Sequence, residues 1–494
     1  MIGRKAVNGV AWAYGAFVSD RALALLTTIA LARVLTPEDF GVIAAALLLM
    51  SFIDAFRDFG VRDALIYTSD DVEVAADTTF WLSIAFGVCQ LLAMLALAPL
   101  ATHMIDDDRI VTVLQVLSAT FIINSLGLTH EALLQKRLEF KGRYVADLVA
   151  SALKTFTAVA LIVAGAGIWS IVVAHLVGSA ARTIGRWVLL DWRPQARFAL
   201  GQARLLLRYG THVFLVGLLG AVADRFDQFL IATLLDQRQL AFFFIATRLP
   251  EMLLFQLNSV LTNVLFSVFS SIKDQRELLL ATFFKTLKYS ALATIPTGCG
   301  LAAVAPELIP VVFGNQWLPS VALMQMLSAA AVAMCLSWSA GDVLKAQGRP
   351  DVVTKLTVIE IAYTAPVVAL LLSHYRDPLA AAIGMLVCHT IAGGIRLVVV
   401  ARMLRYPMSL YIEAFRAATI GGILLLIAVA LCRHLLAEYA PAIVLVVSIA
   451  AGFVTYVATI WLLEREELVA AAELVVAALR GADRDAAPAP SSSL

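Results

Sequence analysis

About fourteen apolar stretches follow one another along this chain, each near the roughly 20 residues that a helix needs to cross a bilayer. Within hydrocarbon every backbone N–H and C=O must find its partner inside the segment, so spans of this kind fold as α-helices. With 61% hydrophobic and 15% charged residues in 494, the chain carries more apolar surface than one soluble core can bury. The expectation is an all-α integral membrane protein whose spans run from residues 7–32 to residues 441–463. A net charge of +1, with no basic arm apart from the spans, gives no footing for a nucleic-acid partner.

Orientation follows from Lys and Arg, because short segments rich in them stay cytoplasmic. With the N-terminus inside, roughly 25 of these residues fall on the cytoplasmic side, about 5 outside and about 7 within spans. Both termini are then expected in the cytoplasm, and the loop of Asp106, Asp107 and Asp108 outside. The first apolar stretch contains Asp20 and Arg21 and is too long for a cleaved signal, so it reads as a retained helix. Cys89, Cys299, Cys335, Cys388 and Cys432 stand in or beside spans, at no disulfide or zinc spacing.

An internal repeat is legible. The sixth span carries His175, Ser179 and Arg182, and the twelfth carries His389, Gly393 and Arg396 at the same relative positions, each set on one helical face. Gln135 and Arg137 introduce the fifth span as Gln347 and Arg349 introduce the eleventh. Leu31-Ala32-Arg33-Val34-Leu35 ends the first span as Ile231-Ala232-Thr233-Leu234-Leu235 ends the seventh. The offset of roughly 200 to 214 residues covers six spans, an even number, so the copies are parallel and related by an axis along the membrane normal. The expected division is an N-lobe at 1–190, the core of a basic cytoplasmic linker at 191–208, a C-lobe at 209–405, an extra helix pair at 406–465 and a tail at 466–494. The end of that tail is rich in Ala, Pro and Ser and is expected to be disordered.

Charged side chains inside spans are costly and mark bundle interiors or wetted cavities. Arg21, Lys154, Arg182, Arg225 and Arg396 lie well inside their spans and suggest a cationic lumen. A phosphate-bearing headgroup fits such a lumen, because guanidinium forks grip phosphate in two places. Asp20, Asp224, Asp227 and Glu360 are candidates to carry H+ or Na+ as a coupling ion; no other cofactor and no metal site is expected. Tyr14, His175, Asn258, Thr262 and His389 are candidate polar lining. The plain structural alternative stands beside each: Asp224 with Arg225, or Arg248 with Glu251, as packing ion pairs, Asp147 and Arg186 as interfacial groups, and the two histidines as interior polar groups without a metal partner.

The segment Leu31 to Gly41, Leu-Ala-Arg-Val-Leu-Thr-Pro-Glu-Asp-Phe-Gly, resembles the signature of bacterial polysaccharide-unit flippases. These are the lipopolysaccharide and exopolysaccharide members of the multidrug/oligosaccharidyl-lipid/polysaccharide exporter superfamily. Leu134-Gln135-Lys136-Arg137-Leu138, Asp227-Gln228-Phe229-Leu230-Ile231, Phe313-Gly314-Asn315-Gln316-Trp317 and Leu344-Lys345-Ala346-Gln347-Gly348-Arg349 extend the resemblance over nearly the whole chain. It implies about 14 transmembrane helices, with two six-helix lobes around a central cavity and two C-terminal helices that line a lipid groove. It also implies alternating access and movement of an undecaprenyl-diphosphate-linked oligosaccharide across the inner membrane, with polysaccharide polymerase or export machinery as candidate partners. Arg21, twelve residues before Arg33, stands where related lipid II flippases carry a cavity arginine.

Two neighbouring readings are a lipid II flippase and an ion-coupled multidrug exporter; the basic segment between lobes and the loop motifs weigh against the exporter. A membrane glycosyl polymerase or ligase would need a sizeable external loop with a base or nucleophile, which the short loops at 164–167 and 236–239 do not offer. No P-loop or Rossmann glycine pattern occurs, so no nucleotide is expected as the direct energy source and the chain reads as a transporter rather than an enzyme.

Overall fold

The computed structural model describes residues 2–68, 71–137, 139–255, 265 and 268–465, and among them the regular structure is entirely helical. Nine helices among the described residues are long and apolar enough to cross a membrane. Two compact units emerge. One comprises Met1–Arg248, Ile309–Leu323 and Ile361–Met385; the other comprises the described parts of Leu249–Leu308, Met324–Glu360 and Leu386–Leu494.

In the first unit α1 (Ile2–Val34) packs on α7 (Phe140–Val163), and α7 on α8 (Trp169–Leu189). In turn α8 packs on α6 (Ala119–Lys136), and α6 on α4 (Val72–Leu97). The short α3 (Val61–Tyr67) is wedged between α6 and α9 (Leu200–Leu234), where an added Cβ on Gly60 would stand 2.4 Å from the Gly210 carbonyl oxygen. Gly60 also sits at φ 72°, so that position is closed to side chains on two counts. At 21 residues α8 has the length of a span, and its His175, Arg182 and Arg186 make it one of the more polar.

The Thr-Pro-Glu-Asp segment is a helix start. Thr36 caps α2 (Pro37–Asp54) by accepting the Asp39 N–H at 3.2 Å, and Pro37 fills the first turn, where no N–H is needed. Two hundred residues on, Asp236 accepts the Gln239 N–H at 2.7 Å to start α10 (Gln237–Pro250). The two helix starts share one capping geometry, an oxygen that accepts the N–H three residues on. The Gln-Lys-Arg segment is likewise a clamp: Lys136 Nζ reaches the carbonyls of Leu65, Ile66 and Thr68 and closes the C-terminus of α3. Gln347, which the sequence pairs with Gln135, donates to the Lys273 carbonyl at 3.0 Å.

The remaining helices are α5 (Arg109–Leu117), α11 (Arg276–Val312), α12 (Ser320–Leu336), α13 (Trp338–Ala346), α14 (Pro350–Tyr375), α15 (Pro378–Leu404), α16 (Ser409–Leu435) and α17 (Pro441–Leu463). Within the second unit, α16 and α17 pack together and are bolted to α11. Lys288 meets Glu464 at 2.8 Å and Glu307 meets Arg433 at 2.7 Å. Between them Tyr456 donates to the Leu292 carbonyl at 2.8 Å, and Gly422 lets Ile295 approach. The two ion pairs lie nineteen residues apart on α11. That is about 28 Å at 1.5 Å per residue, close to the thickness of bilayer hydrocarbon. Charges so spaced can sit at opposite interfaces while the helix between them stays in lipid.

Candidate functional site

The densest charge in the first unit gathers on α6, α7 and α8 beside α3. Glu131, whose side chain is 10% exposed, accepts Arg186 at 2.8 Å and Arg143 at 3.0 Å, with Arg62 at 3.4 Å. Asp147, one turn after Arg143, is shared more loosely by Arg182 at 3.3 Å, Arg186 at 3.5 Å and Arg143 at 3.9 Å. Gln135 steadies the group by accepting from Arg62 at 2.7 Å and from Arg143 at 3.2 Å. Four guanidiniums therefore face two carboxylates, an excess of two positive charges. Asp20, Arg57, Glu131, Asp147, Arg182 and Arg186, with Asn124, Leu128 and Tyr144, line a cavity of about 280 Å³. That volume suits a compact polar group.

Burial separates roles within the cluster. Arg186 is 10% exposed and held by both carboxylates, whereas Arg182 is 39% exposed and touches Asp147 alone. Arg186 is thus the enclosed member of the pair, and Arg182 the more exposed one. Beside it Lys154 lies within the electrostatic reach of Arg182, Asp20 and Arg248. A Cβ on Gly178 would come 3.0 Å from Lys154 Cβ, so the absence of a side chain on α8 makes room for the lysine stem. His175 lies within the electrostatic reach of Lys154 and Arg182, and Ser151 donates to Asp20 across α1 and α7. On the same helix pair Thr27 donates to Thr155 at 2.9 Å.

Of the residues expected from sequence, Asp20, Lys154, His175 and Arg182 thus come together in one unit. Arg21 is exposed on α1. Arg225 reaches Gln228 at 3.5 Å and Asp227 is buried, both on α9. In the second unit Glu360 accepts Arg396 at 2.6 Å and bonds His389 Nδ1 at 2.9 Å, with Thr357 at 3.5 Å from Arg396. Glu360, His389 and Arg396 therefore form one cluster between α14 and α15. The side chains of Tyr14 and Asp224, and residues Asn258 and Thr262, lie outside the described residues, as does the tail at 466–494.

Sequence reasoning singles out none of Glu131, Arg62 and Arg143, and it places Asp147 and Arg186 at the interface rather than in a site. The available signal is spacing: Glu131 with Gln135, Arg143 with Asp147 and Arg182 with Arg186 are all i,i+4 pairs on one helix face. The fourth span, at 110–129 by hydropathy, stops two residues short of Glu131.

By fold the chain is an all-α, multi-pass membrane protein. It superposes on the lipid II flippase MurJ in its inward closed conformation with a TM-score of 0.75 at 12% identity, covering 93% of this chain and 100% of that one. Residues 30–322 match the profile of the polysaccharide biosynthesis protein family. The chain belongs to that family. It is 25% identical over 372 residues to the lipopolysaccharide biosynthesis protein WzxC of Escherichia coli (strain K12), covering 74% of this chain and 75% of the relative. It is also 25% identical over 316 residues to the succinoglycan biosynthesis transport protein ExoT of Rhizobium meliloti (strain 1021), covering 63% of each.

Proposed function

We propose that this protein carries an undecaprenyl-diphosphate-linked oligosaccharide repeat unit from the cytoplasmic to the periplasmic leaflet of the inner membrane, for exopolysaccharide or lipopolysaccharide biosynthesis. The lobes at 1–190 and 209–405 alternate access to a central cavity. The basic linker, both termini and the tail face the cytoplasm, and the helices at 406–465 travel with the C-lobe. The observation that supports this reading most is the excess of two guanidiniums over carboxylates around Glu131 and Asp147. A diphosphate diester carries about two negative charges and binds arginine forks in pairs. Arg182 moves from Asp147 to phosphate as the headgroup enters, and Lys154, within the electrostatic reach of Arg182, adds a further contact. Arg21, Arg225 and Arg396 serve the same headgroup along its path.

The coupling ion is a proton held at Glu360 and His389, a carboxylate and an imidazole in direct contact inside membrane-spanning helices. Asp20, Asp224 and Asp227 are the other candidates, with sodium the alternative ion. Polysaccharide polymerase and export machinery receive the delivered unit.

The test is translocation of a fluorescent undecaprenyl-diphosphate-linked sugar in vesicles, scored by quenching from one side. The wild type should expose the label; Arg21→Ala should abolish that exposure and Arg182→Ala should slow it by about 10- to 100-fold, while both proteins still insert. Transport unaltered in both variants would refute the site. Movement of lipid II in place of the oligosaccharide would reassign the substrate within the superfamily.

A further inference from the structure

Two motifs of the chain remain without a role: Leu31 to Gly41 after α1, and Phe313 to Trp317 after α11. They bind each other. A helix ends with carbonyls that its own backbone cannot satisfy, and here each helix end is closed by side chains from the other turn. Gln316 Nε2 donates to the carbonyls of Ala32 at 2.6 Å and Leu35 at 3.0 Å, and Trp317 Nε1 donates to Ala32 at 2.8 Å. In return Arg33 Nε donates to Val312 at 2.8 Å, and its Nη2 donates to Val311. A cation at the C-terminal end of α11 also favours that helix dipole.

The exchange is built around a wedge. Trp317 is fully buried, edge-on to Phe40 at 5.2 Å and to Phe242 at 6.0 Å. Gly314, at φ 116°, gives the turn its shape. Arg33, Asn315 and Gln316 lie at the surface of the same joint. Every polar bond in it is a side chain on a carbonyl that water could satisfy in its place, so the joint can open without stranding a charge. Among the described residues no carboxylate accepts from Arg33, Gln316 or Trp317, and Glu38 and Asp39 of the first motif pair elsewhere, with Arg238 and Arg109. Residues 309–323 belong to the first unit although the chain on both sides of them belongs to the second.

We propose that these two turns form a latch that is closed in the state described and must release and re-form in each transport cycle, with Arg33, Gln316 and Trp317 as its positioning residues. The inference rests on the transport reading for its role in a cycle. Its mechanism is reciprocal capping: opening exposes the carbonyls of Ala32, Leu35, Val311 and Val312 together and withdraws the indole from the Phe40 and Phe242 rings.

The experiment uses the full chain in nanodiscs, where both faces are accessible to reagent. Ala32→Cys places a thiol under the latch, and its alkylation is followed by mass spectrometry of that peptide, with the native cysteines retained. Modification should be slow at rest and accelerate about tenfold when undecaprenyl-diphosphate-linked N-acetylglucosamine is added. Gln316→Glu, which keeps the shape but cannot donate, should raise the resting rate by about tenfold, the equivalent of a lost hydrogen bond or two. Hydrogen exchange over 309–320 in the unsubstituted protein, faster with the same lipid, gives a second reading free of any variant. If vesicles translocate the lipid while the thiol introduced at position 32 and these amides stay protected, the turns are a fixed cap and the latch is refuted alone. If the wild type translocates nothing, the transport reading falls, and the gating role with it.

Discussion

Glu131→Gln and Arg182→Ala make a paired test of which part of the arginine cluster is scaffold and which part is site. Glu131 is 10% exposed and pairs with three guanidiniums within 3.4 Å. Replacing it by the neutral amide leaves Arg186 with Asp147 alone, at 3.5 Å. Removing one partner of a buried ion pair costs about 3 to 5 kcal/mol. Coulomb's law gives the same scale, about 4 kcal/mol for unit charges about 4 Å apart at an effective dielectric near 20. Arg182→Ala instead removes a side chain 39% exposed with one ion-pair contact, worth about 1 kcal/mol or less to stability. If Arg182 grips phosphate, the lost charge-assisted contacts should slow translocation by about 10- to 100-fold. The measurements are thermal unfolding in nanodiscs, followed by tryptophan fluorescence, and initial translocation rates in vesicles. Glu131→Gln should melt well below wild type, and Arg182→Ala should melt close to it while transporting poorly. Equal losses of stability in the two variants, or undiminished transport in Arg182→Ala, would show that exposure does not divide the cluster as argued.

Two further substitutions probe the packing that carries these sites. Gly41→Ala would place a Cβ 2.0 Å from the backbone carbonyl oxygen of Gln237, so the turns that start α2 and α10 must separate, at a cost of about 1 to 3 kcal/mol read as reduced thermal stability; an unchanged melting point would show that the crossing yields freely. Lys288→Ala breaks a pair with Glu464 in which both side chains are about 20% exposed, a case between surface and buried pairs that should cost about 1 to 3 kcal/mol. Limited proteolysis should then cut earlier around α16 and α17, and an unaltered digestion pattern would count against the two-bolt attachment to α11.

The helices are legible because hydrocarbon permits little else, and two helix starts, at Thr36 and Asp236, share their capping chemistry. Leu35-Thr36 and Leu235-Asp236 differ in residue type, yet both place a capping oxygen three residues before an N–H that needs one. The stripe of His175 with Arg182 and His389 with Arg396 gives a face for each copy. What sequence does not supply is the partner on the neighbouring helix. Asp147 reads as an interfacial charge until α8 brings Arg182 and Arg186 against it, and Glu131 lies just past the apolar stretch that defines its span. Helix–helix registry decides such pairs, and hydropathy carries no registry. The two latch motifs show the same limit over a longer distance: Arg33 and Val312 are 279 residues apart in sequence.

The divergence of the two stripes is itself an argument about coupling. In the first copy the histidine lies within the electrostatic reach of cations, Lys154 and Arg182, and the arginine shares a carboxylate with two others. In the second copy Glu360 stands between His389 and Arg396, one carboxylate bonded to both members of the stripe. Gly393, at the place of Ser179, packs against Ala333 and Ser337 and brings no charge to the cluster. Arg396 and His389 thus share one carboxylate, and of the two only His389 can be replaced without stranding a charge. His389→Gln keeps a polar group and leaves the Arg396–Glu360 pair intact; it should change stability by about 1 kcal/mol or less and remove the response of translocation to an imposed pH gradient. Glu360→Gln strands Arg396 and should lower stability as well, by about 3 to 5 kcal/mol if the pair behaves as buried. The readout that separates a proton site from a structural one is downhill exchange of the labelled lipid at uniform pH, which His389→Gln should retain. A variant that still concentrates lipid in response to the gradient would move the coupling group elsewhere, with Asp20, bonded by Ser151 in the first unit, as the next residue to test.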